Sequence, residues 1–300
     1  MPTKRSQGML GLIRSHKRFA TGIGNNVMQI EPSAKTVARL RMYGTRAVET
    51  PSLGMPGLMV YPHTRLISRG AILHLHGGAY VSGGLMQCRA IISPICAAAG
   101  TPALTFSYRL APEYPYPAQL EDALRAWRYL RDAGFENIVF VGESAGGNLA
   151  LALALKLRDL GERMPCGIAL MSPWVDLAQR GDSYRTLAQL DATLNAEELL
   201  ASAIAFAGSK ERLADPAVSP LYADFHGFPP VEIHCGTHEI LLSDSETLER
   251  NMLRDGVDVH LIRWAGMCHV FQAFGFDESR ASNQHLGAFV LRCLAGKEEN

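Results

Sequence analysis

The chain has 300 residues, and 47% of them are hydrophobic, so it can bury a full globular core in one α/β domain or in two smaller ones. Lys plus Arg and Asp plus Glu number 29 each, so the chain lacks the basic excess of a phosphate-backbone binder and we do not expect a nucleic-acid partner. The six cysteines form no CxxC pair and no apolar run is long enough to span a bilayer, which favours a cytoplasmic protein with reduced thiols.

The first segment of the chain has no strand pattern. Its apolar stretch Met9–Ile13 is too short for the hydrophobic region of a signal peptide, and charge resumes at Arg14. We therefore expect no signal peptide, and we predict N-terminal cap helices over residues 1–42.

Short apolar runs follow and predict the strands of one sheet. "TRAVET" and "GLMVYP" flank the turn-rich "PSLGMP", which indicates an antiparallel hairpin at the edge of the sheet. Because helical segments alternate with the later runs, we expect an α/β fold of about eight mostly parallel strands with helices on both faces. The later strands are predicted at Ala71–His76, Ala103–Arg109, Ile138–Gly142, Gly167–Ser172, Val231–Gly236 and Val257–Trp264. The helices are predicted near Met86–Ala99, Ala118–Ala133, Ala145–Leu160, Ser243–Asp255 and Ser282–Leu294.

One insertion interrupts this alternation. Residues 176–213 show no strand pattern and predict one or two helices, one of them capped by Asn195 ahead of two glutamates. Because an excursion of this length usually covers a site, we predict a cap insertion at 176–213 between core segments 43–175 and 214–300. Its larger apolar side chains either line an acyl pocket or pack in the core: Tyr184, Leu187, Leu190, Leu194, Leu200 and Phe206.

The stretch "GESAGG" places one serine between a strand and a helix. Ser144 is the central residue of a G-x-S-x-G pattern, in which small residues on both sides let the strand and the helix approach each other. The start of the helix directs the Ala145 amide toward the same corner. The pattern alone is also compatible with a plain glycine-rich turn, but its position between strand and helix favours a nucleophile.

A second glycine-rich stretch, "HGGAY", follows the strand at residue 71. The amides of Gly77, Gly78 and Ala79 can converge on one anion, and with Ala145 they would form an oxyanion hole. The alternative is a turn without chemistry. We interpret His76 as a buried imidazole that holds this loop through a backbone hydrogen bond.

A serine nucleophile needs a base, and the base needs an acid that orients it. His269 lies in a loop after the last strand, at the sheet edge where Ser144 also falls, and His238 is the other histidine placed in this way. The acid is expected after "VEIHCG", where we favour Glu239 over Asp244, which looks like a helix cap. The remaining strand histidines are read as core or surface residues: His74, His234 and His260.

Six ordered motifs between Val60 and Leu294 together resemble the bacterial hormone-sensitive-lipase-like carboxylesterases, also called family IV esterases. They are "HGGAY", "YRLAPEYPYPAQLEDA", "GESAGGNLA", "DPAVSPLYADFHGFPP", "HCGTHEILLSDS" and "GMCHVFQAF". The resemblance implies an α/β-hydrolase fold with a small helical cap. It also implies a Ser144, Glu239, His269 triad and an oxyanion hole formed by Gly78, Ala79 and Ala145.

The chain departs from the family pattern at three positions. Ala79 replaces the last glycine of the usual HGGG, Cys268 stands where many relatives have proline, and His238 replaces a residue that is often acidic. These changes bear on rate and pH behaviour rather than on the class of reaction. The resemblance assigns structural roles to Tyr108, Glu113, Asp122 and Asp215, the first two in support of the oxyanion loop.

The motifs and the resemblance together imply a serine carboxylesterase that works through an acyl-enzyme on Ser144 without metal or organic cofactor. The resemblance also implies short- to medium-chain esters as substrates. An amidase or deacetylase on the same scaffold is the alternative enzyme, and a non-catalytic small-molecule receptor is the alternative from another class. Because relatives often dimerise, a homodimer through the Gly57–Pro62 edge or the last strand is also expected.

Overall fold

A computed structural model of the chain describes residues 2–20, 44–63, 66 and 70–296. Eight strands in these ranges form one sheet: β1 (Thr45–Glu49), β2 (Gly57–Pro62), β3 (Ala71–Leu75), β4 (Ala103–Phe106), β5 (Ile138–Glu143), β6 (Gly167–Met171), β7 (Val231–Gly236) and β8 (Val259–Trp264). The first two strands run antiparallel to their neighbours, and the other pairs are parallel. Their order across the sheet is β1-β2-β4-β3-β5-β6-β7-β8.

Helices cover both faces of the sheet because successive strand side chains point to opposite sides. Ile72 belongs to the buried cluster that contains Ile92 and Leu286, whereas its neighbour Leu73 belongs to the cluster on the opposite face, with Trp127 and Leu149. The helices in the described ranges are α1 (Lys4–Ala20), α2 (Leu85–Ala99), α3 (Ala118–Asp132), α4 (Ala145–Asp159), α5 (Ser183–Thr186), α6 (Ala196–Ala207), α7 (Leu242–Arg254) and α8 (Asp277–Ala295). Within the parts of the chain described above, no helix is both long and apolar enough to cross a membrane.

The predicted α/β architecture is confirmed, and most strand bounds agree with the prediction to within one residue. Strand β4 ends at Phe106 rather than Arg109, because the Arg109 N–H leaves the sheet and donates to Asp122 Oδ2 at 2.9 Å. Strand β8 begins at Val259, two residues later than expected. The strand Gly57–Pro62 is not an edge, because it pairs with β1 on one side and β4 on the other. It therefore offers no open edge to a second copy of the chain.

Helix α8 begins five residues before the predicted Ser282. Asp277 and Glu278 lie in its first turn, where negative charge is favourable, and Ser279 Oγ accepts the N–H of Phe276 at 3.1 Å. These start signals are present in the sequence ahead of the apolar pattern on which the prediction relied.

The insertion 176–213 contains α5 and α6, and a short 3₁₀ helix at Glu211–Ala214 spans its end. The Asn195 cap is confirmed, since its Oδ1 accepts the N–H groups of Glu197 at 2.8 Å and Glu198 at 3.2 Å. The division of the chain into cap and core stays a prediction.

At the N-terminus, α1 lies within the predicted cap segment 1–42, whose residues 21–42 fall outside the described ranges. The side chain of Leu10, in α1, packs in a buried cluster with Met267, Phe271 and Phe276. The first helix therefore contacts the loop that carries His269.

Candidate functional site

The predicted nucleophile Ser144 lies at a sharp turn between β5 and α4. Its backbone adopts φ +55° and ψ −123°, and φ is in the left-handed region that L-residues rarely occupy. The turn is held because Ser144 N–H donates to the Met171 carbonyl at 2.9 Å and the Ser144 carbonyl accepts from Trp174 N–H at 3.0 Å. A Cβ at Gly146 would lie only 1.9 Å from the Leu75 carbonyl oxygen, so this position must be glycine. The predicted strand, turn and helix around the serine are confirmed.

The predicted base and acid are in contact. His269 Nδ1 lies 3.5 Å from Glu239 Oε1, at the long end of hydrogen-bonding distance. The other carboxylate oxygen of Glu239 accepts the hydroxyl of Ser172 at 2.8 Å and the N–H of Gly236 at 3.0 Å. Glu239 is fully buried, so these donors stabilise a carboxylate that water does not reach.

Ser172 is a site residue that sequence reasoning missed. It follows β6, and its Oγ accepts the N–H of Val270 at 3.1 Å while it donates to Glu239. One hydroxyl therefore ties the acid to the residue next to His269. The sheet order offers the signal, because β6 lies between β5, which leads to Ser144, and β7, which leads to Glu239.

Asp244, the alternative acid, has a different role. Its Oδ2 accepts the N–H groups of Val175 at 3.0 Å and Asp176 at 2.9 Å and the hydroxyl of Tyr184 at 3.2 Å. Burial and the nearby Asp176 raise the pKa of Asp244 well above its usual range. Asp244 thus fastens the start of the insertion to α7.

The loop after β3, residues 76–80, is called the oxyanion loop below, and several of its residues have left-handed backbone conformations. Gly78, Ala79 and Tyr80 all have positive φ, at 112°, 53° and 64°. In the described part of the chain, the amides of Gly78, Ala79 and Ala145 donate to no protein acceptor, as a site for a ligand anion requires. The Gly77 amide does not belong to the expected set, because it donates to Glu143 Oε1 at 2.7 Å.

Glu143, which precedes the nucleophile, holds this loop. Its second oxygen lies 2.8 Å from His74 Nε2, and His74 Nδ1 lies 2.9 Å from Thr105 Oγ1. All three side chains are buried. The Glu143 carboxylate thus joins the end of β5 to β3, β4 and the oxyanion loop, and His74 is a core histidine as predicted.

His76 supports the same loop from the other side. Its Nδ1 lies 2.6 Å from the Gly77 carbonyl oxygen, its ring stacks on Tyr108 at 3.9 Å, and the Tyr108 hydroxyl donates to the His76 carbonyl at 2.8 Å. Burial lowers the pKa of His76 to about 4, so the ring is neutral near pH 7. The structural roles predicted for His76 and Tyr108 are confirmed. The one predicted for Glu113 is wrong, because Glu113 is exposed and forms no hydrogen bond within the described residues.

Ser144 and His269 open into one cavity of about 540 Å³. Ser144 is 7% exposed and His269 is 8% exposed. One wall comes from the oxyanion loop, and a second comes from α2 through residues such as Met86 and Ile91. A third wall belongs to the insertion and consists of Thr193, Leu194, Asn195, Glu198, Leu199 and Ser202.

Most of the apolar candidates for the pocket do not line it. Leu194 does, but Tyr184 is bonded to Asp244 and Phe206 stacks on Tyr80 at 3.7 Å. His238 also lies outside the lining that the described residues form. The structure therefore brings together Ser144, His269, Gly78 and Ala79 at the cavity, with Glu239 and Ala145 buried behind them.

A group of residues with metal-binding side chains lies elsewhere. Ligand atoms of Asp224, His226 and Asp255 fall within 4.8 Å of one another, outside the cavity lining of the described residues. These atoms already have partners, since Arg254 binds Asp255 at 2.8 Å and His226 Nδ1 lies 2.6 Å from Asp224. The group is explained by its own ion pairs.

Comparisons with known proteins show the family of the chain. A family model described as the alpha/beta hydrolase fold matches residues 72–273. The chain belongs to this family. An esterase of Acinetobacter venetianus is 35% identical over 223 residues, which cover 73% of this chain and 74% of the relative. An acetyl-hydrolase of Streptomyces hygroscopicus is 36% identical over 231 residues, 75% of this chain and 76% of the relative.

Among solved structures, an esterase of the bacterial hormone-sensitive lipase family superposes with a TM-score of 0.86 at 30% identity. The match covers 98% of this chain and 99% of that one. The resemblance to bacterial hormone-sensitive-lipase-like α/β-hydrolases is therefore confirmed.

Glu143→Ala should lower kcat on an ester substrate by about 10-fold or more, because the Gly77 and His74 donors lose their acceptor and the oxyanion loop is no longer fixed. Glu143→Gln should restore most of this loss, since its oxygen can accept Gly77 N–H while its amide donates to the other tautomer of His74. Steady-state kinetics measure both variants, with the exposed Glu121→Ala as control. Wild-type kcat in a folded Glu143→Ala protein would contradict the role of Glu143.

The low pKa of His76 makes stability depend on pH. Between pH 6.5 and about 4 the unfolded chain protonates this residue and the folded protein does not, so the free energy of unfolding falls as pH decreases. From about pH 7 to about pH 4.5 the loss due to His76 is about 2 kcal/mol. Urea unfolding at both pH values should show a smaller loss for His76→Gln than for wild type. The exposed His260→Gln should behave as wild type, and equal losses in all three proteins would refute the assignment.

Proposed function

We propose that this protein is a serine carboxylesterase that hydrolyses short- to medium-chain carboxylic esters. The observation that carries the proposal is that Ser144 and His269 face one cavity, with Glu239 in contact with His269. Beside them lie the amides of Gly78 and Ala79, which donate to no acceptor among the described residues. The names of the two curated relatives, an esterase and an acetyl-hydrolase, support the same class of reaction.

The reaction starts with an attack of Ser144 Oγ on the ester carbonyl. His269 takes the hydroxyl proton as the C–O bond forms, and Glu239 holds the imidazole in the tautomer that can accept it. The negative charge that develops on the carbonyl oxygen is stabilised by the amides of Gly78, Ala79 and Ala145. Because these donors are fixed in place, they need little reorganisation when the charge appears.

The intermediate collapses when the bond to the leaving alcohol breaks. His269 returns the proton to the alkoxide, and the acyl group stays on Ser144 as an ester. Water then enters, gives a proton to His269 and attacks the acyl carbonyl, so a carboxylic acid leaves and Ser144 regains its proton. No step requires a metal or an organic cofactor.

The cavity supports substrates of limited size. Its volume of about 540 Å³ has to accept the acyl group and the alcohol together. One relative is named for acetyl groups, which supports a short acyl chain. The six free thiols support action in the reducing cytoplasm. We also propose that the protein assembles as a homodimer. Cell fractionation tests the cytoplasmic location, and size-exclusion chromatography tests the dimer.

Ser144→Ala should lower kcat on p-nitrophenyl butyrate by about 10³-fold or more, because the variant has no nucleophile. Ser202→Ala is the matched control, since Ser202 lines the same cavity and its hydroxyl donates to the Glu198 carbonyl of its own helix. An organophosphate should label wild type and Ser202→Ala at one site and leave Ser144→Ala unlabelled. Retained activity in Ser144→Ala would overturn the assignment of the nucleophile.

A chain-length series of p-nitrophenyl esters tests the substrate class. We expect kcat/KM to peak at short or medium acyl chains, because a longer chain would extend beyond the cavity of about 540 Å³. A steady rise toward long chains would contradict this expectation. The matched anilides should be poorer substrates; faster cleavage of anilides would favour the amidase alternative.

A further inference from the structure

The residue that follows the predicted acid is held by the insertion at both of its backbone groups. Ile240 N–H donates to Asp191 Oδ2 at 2.8 Å, and the Ile240 carbonyl accepts the hydroxyl of Ser183 at 2.5 Å. Asp191 is 3% exposed and Ser183 is 5% exposed, so water does not compete for these bonds. Two side chains of the segment 176–213 thus fix the main chain immediately after Glu239.

The second oxygen of Asp191 binds the cavity wall. Its Oδ1 accepts the N–H of Thr193 at 2.8 Å, the hydroxyl of Thr193 at 2.9 Å and the N–H of Leu194 at 2.9 Å. Thr193 and Leu194 both line the cavity. One buried carboxylate therefore connects the wall that faces the substrate to the loop that carries the acid.

Ser183 extends the connection to α7. Its Oγ lies 2.5 Å from Ser243 Oγ and accepts the Ser243 N–H at 3.0 Å, in the first turn of that helix. Gly181 makes the approach possible, because a Cβ there would lie 2.0 Å from Ser243 Oγ. The insertion is thus attached to the chain at Ile240, directly after Glu239, and again at Ser243 in the first turn of α7.

The hydrogen bond between Glu239 and His269 depends on this attachment and tolerates little displacement of either side chain. Glu239 Oε1 and His269 Nδ1 are already 3.5 Å apart, so a further shift of a few tenths of an ångström would break the hydrogen bond. Ser172 and Gly236 hold the other oxygen, but they restrain the carboxylate rather than the chain after it. The position of Ile240 therefore bears directly on how the acid meets the base.

We propose that Asp191, together with Ser183, positions Glu239, so that the insertion sets the geometry of the acid as well as the shape of the cavity. Both are positioning residues, because the contacts described above act on the reaction through the chain at Glu239. The inference rests on the proposed esterase function. The insertion then has two roles, since it forms one wall of the cavity and also positions Glu239.

The experiment measures Asp191→Asn in two backgrounds. Asparagine keeps the shape, but its amide group would face backbone N–H groups that can only donate, so one side of the connection is lost. With p-nitrophenyl acetate, we expect kcat to fall about 10-fold or more in the wild-type background. In a Glu239→Ala background the same change should alter kcat by less than about twofold, since the residue through which Asp191 acts is gone.

Ser183→Ala repeats the test without a change of charge and should show the same dependence on Glu239. Asp182→Ala is the control, because that neighbouring side chain is 92% exposed. It should leave kcat unchanged in both backgrounds. Circular dichroism checks that each variant is folded, and failure of Asp191→Asn to fold leaves Ser183→Ala to decide.

Equal losses of kcat in both backgrounds would overturn the proposal, since Asp191 would then act independently of the acid. A change confined to KM would also overturn it, because it would leave the insertion as a wall alone. An inactive wild-type protein would refute the esterase function itself, which is a separate outcome.

Discussion

Helix α4 lies so close to the ends of β3 and β5 that the chain at residues 142 and 146 has no space for side chains. A Cβ at Gly142 would lie 2.4 Å from the Gly146 carbonyl oxygen, which leaves room only for the backbone. This close approach forces the connection between strand and helix into a single strained residue. Ser144 therefore stands out from the turn toward the cavity, and the first amide of α4 is placed directly beside it.

Two buried glutamates organise the loops around this turn. Glu143 accepts the Gly77 amide and faces His74, while Glu239 accepts the Gly236 amide and faces His269. The pairs have similar chemistry but different surroundings. His74 is fully buried between Glu143 and Thr105, so both of its nitrogens are occupied, whereas His269 borders the cavity. The same kind of pair thus fixes a loop in one place and borders the cavity in the other, where the proposed reaction needs a histidine that exchanges a proton.

The sequence was sufficient for the elements that local patterns determine. Strands, helices, the serine corner and the Asn195 cap depend on residues near one another in the chain, and all were found. Glu143, Ser172 and Asp191 were not, because their partners are far away. Ser172 and Glu239 are separated by 67 residues and Asp191 and Ile240 by 49, and no pattern along the chain marks such contacts. The role of Glu143, the glutamate of "GESAGG", is visible only in the folded structure, where it binds Gly77 and His74.

The insertion has to satisfy two demands at once. The side chains of Thr193 and Leu194 border the cavity, so substitutions at these positions change the space that a substrate can occupy. The backbone at the same residues cannot move freely, because their amides share the Asp191 carboxylate with Ile240. Substitutions that reshape the pocket are therefore compatible with catalysis when they keep this main-chain geometry. A replacement of the whole segment would have to reproduce the Asp191 and Ser183 contacts, or the acid would lose its place beside His269.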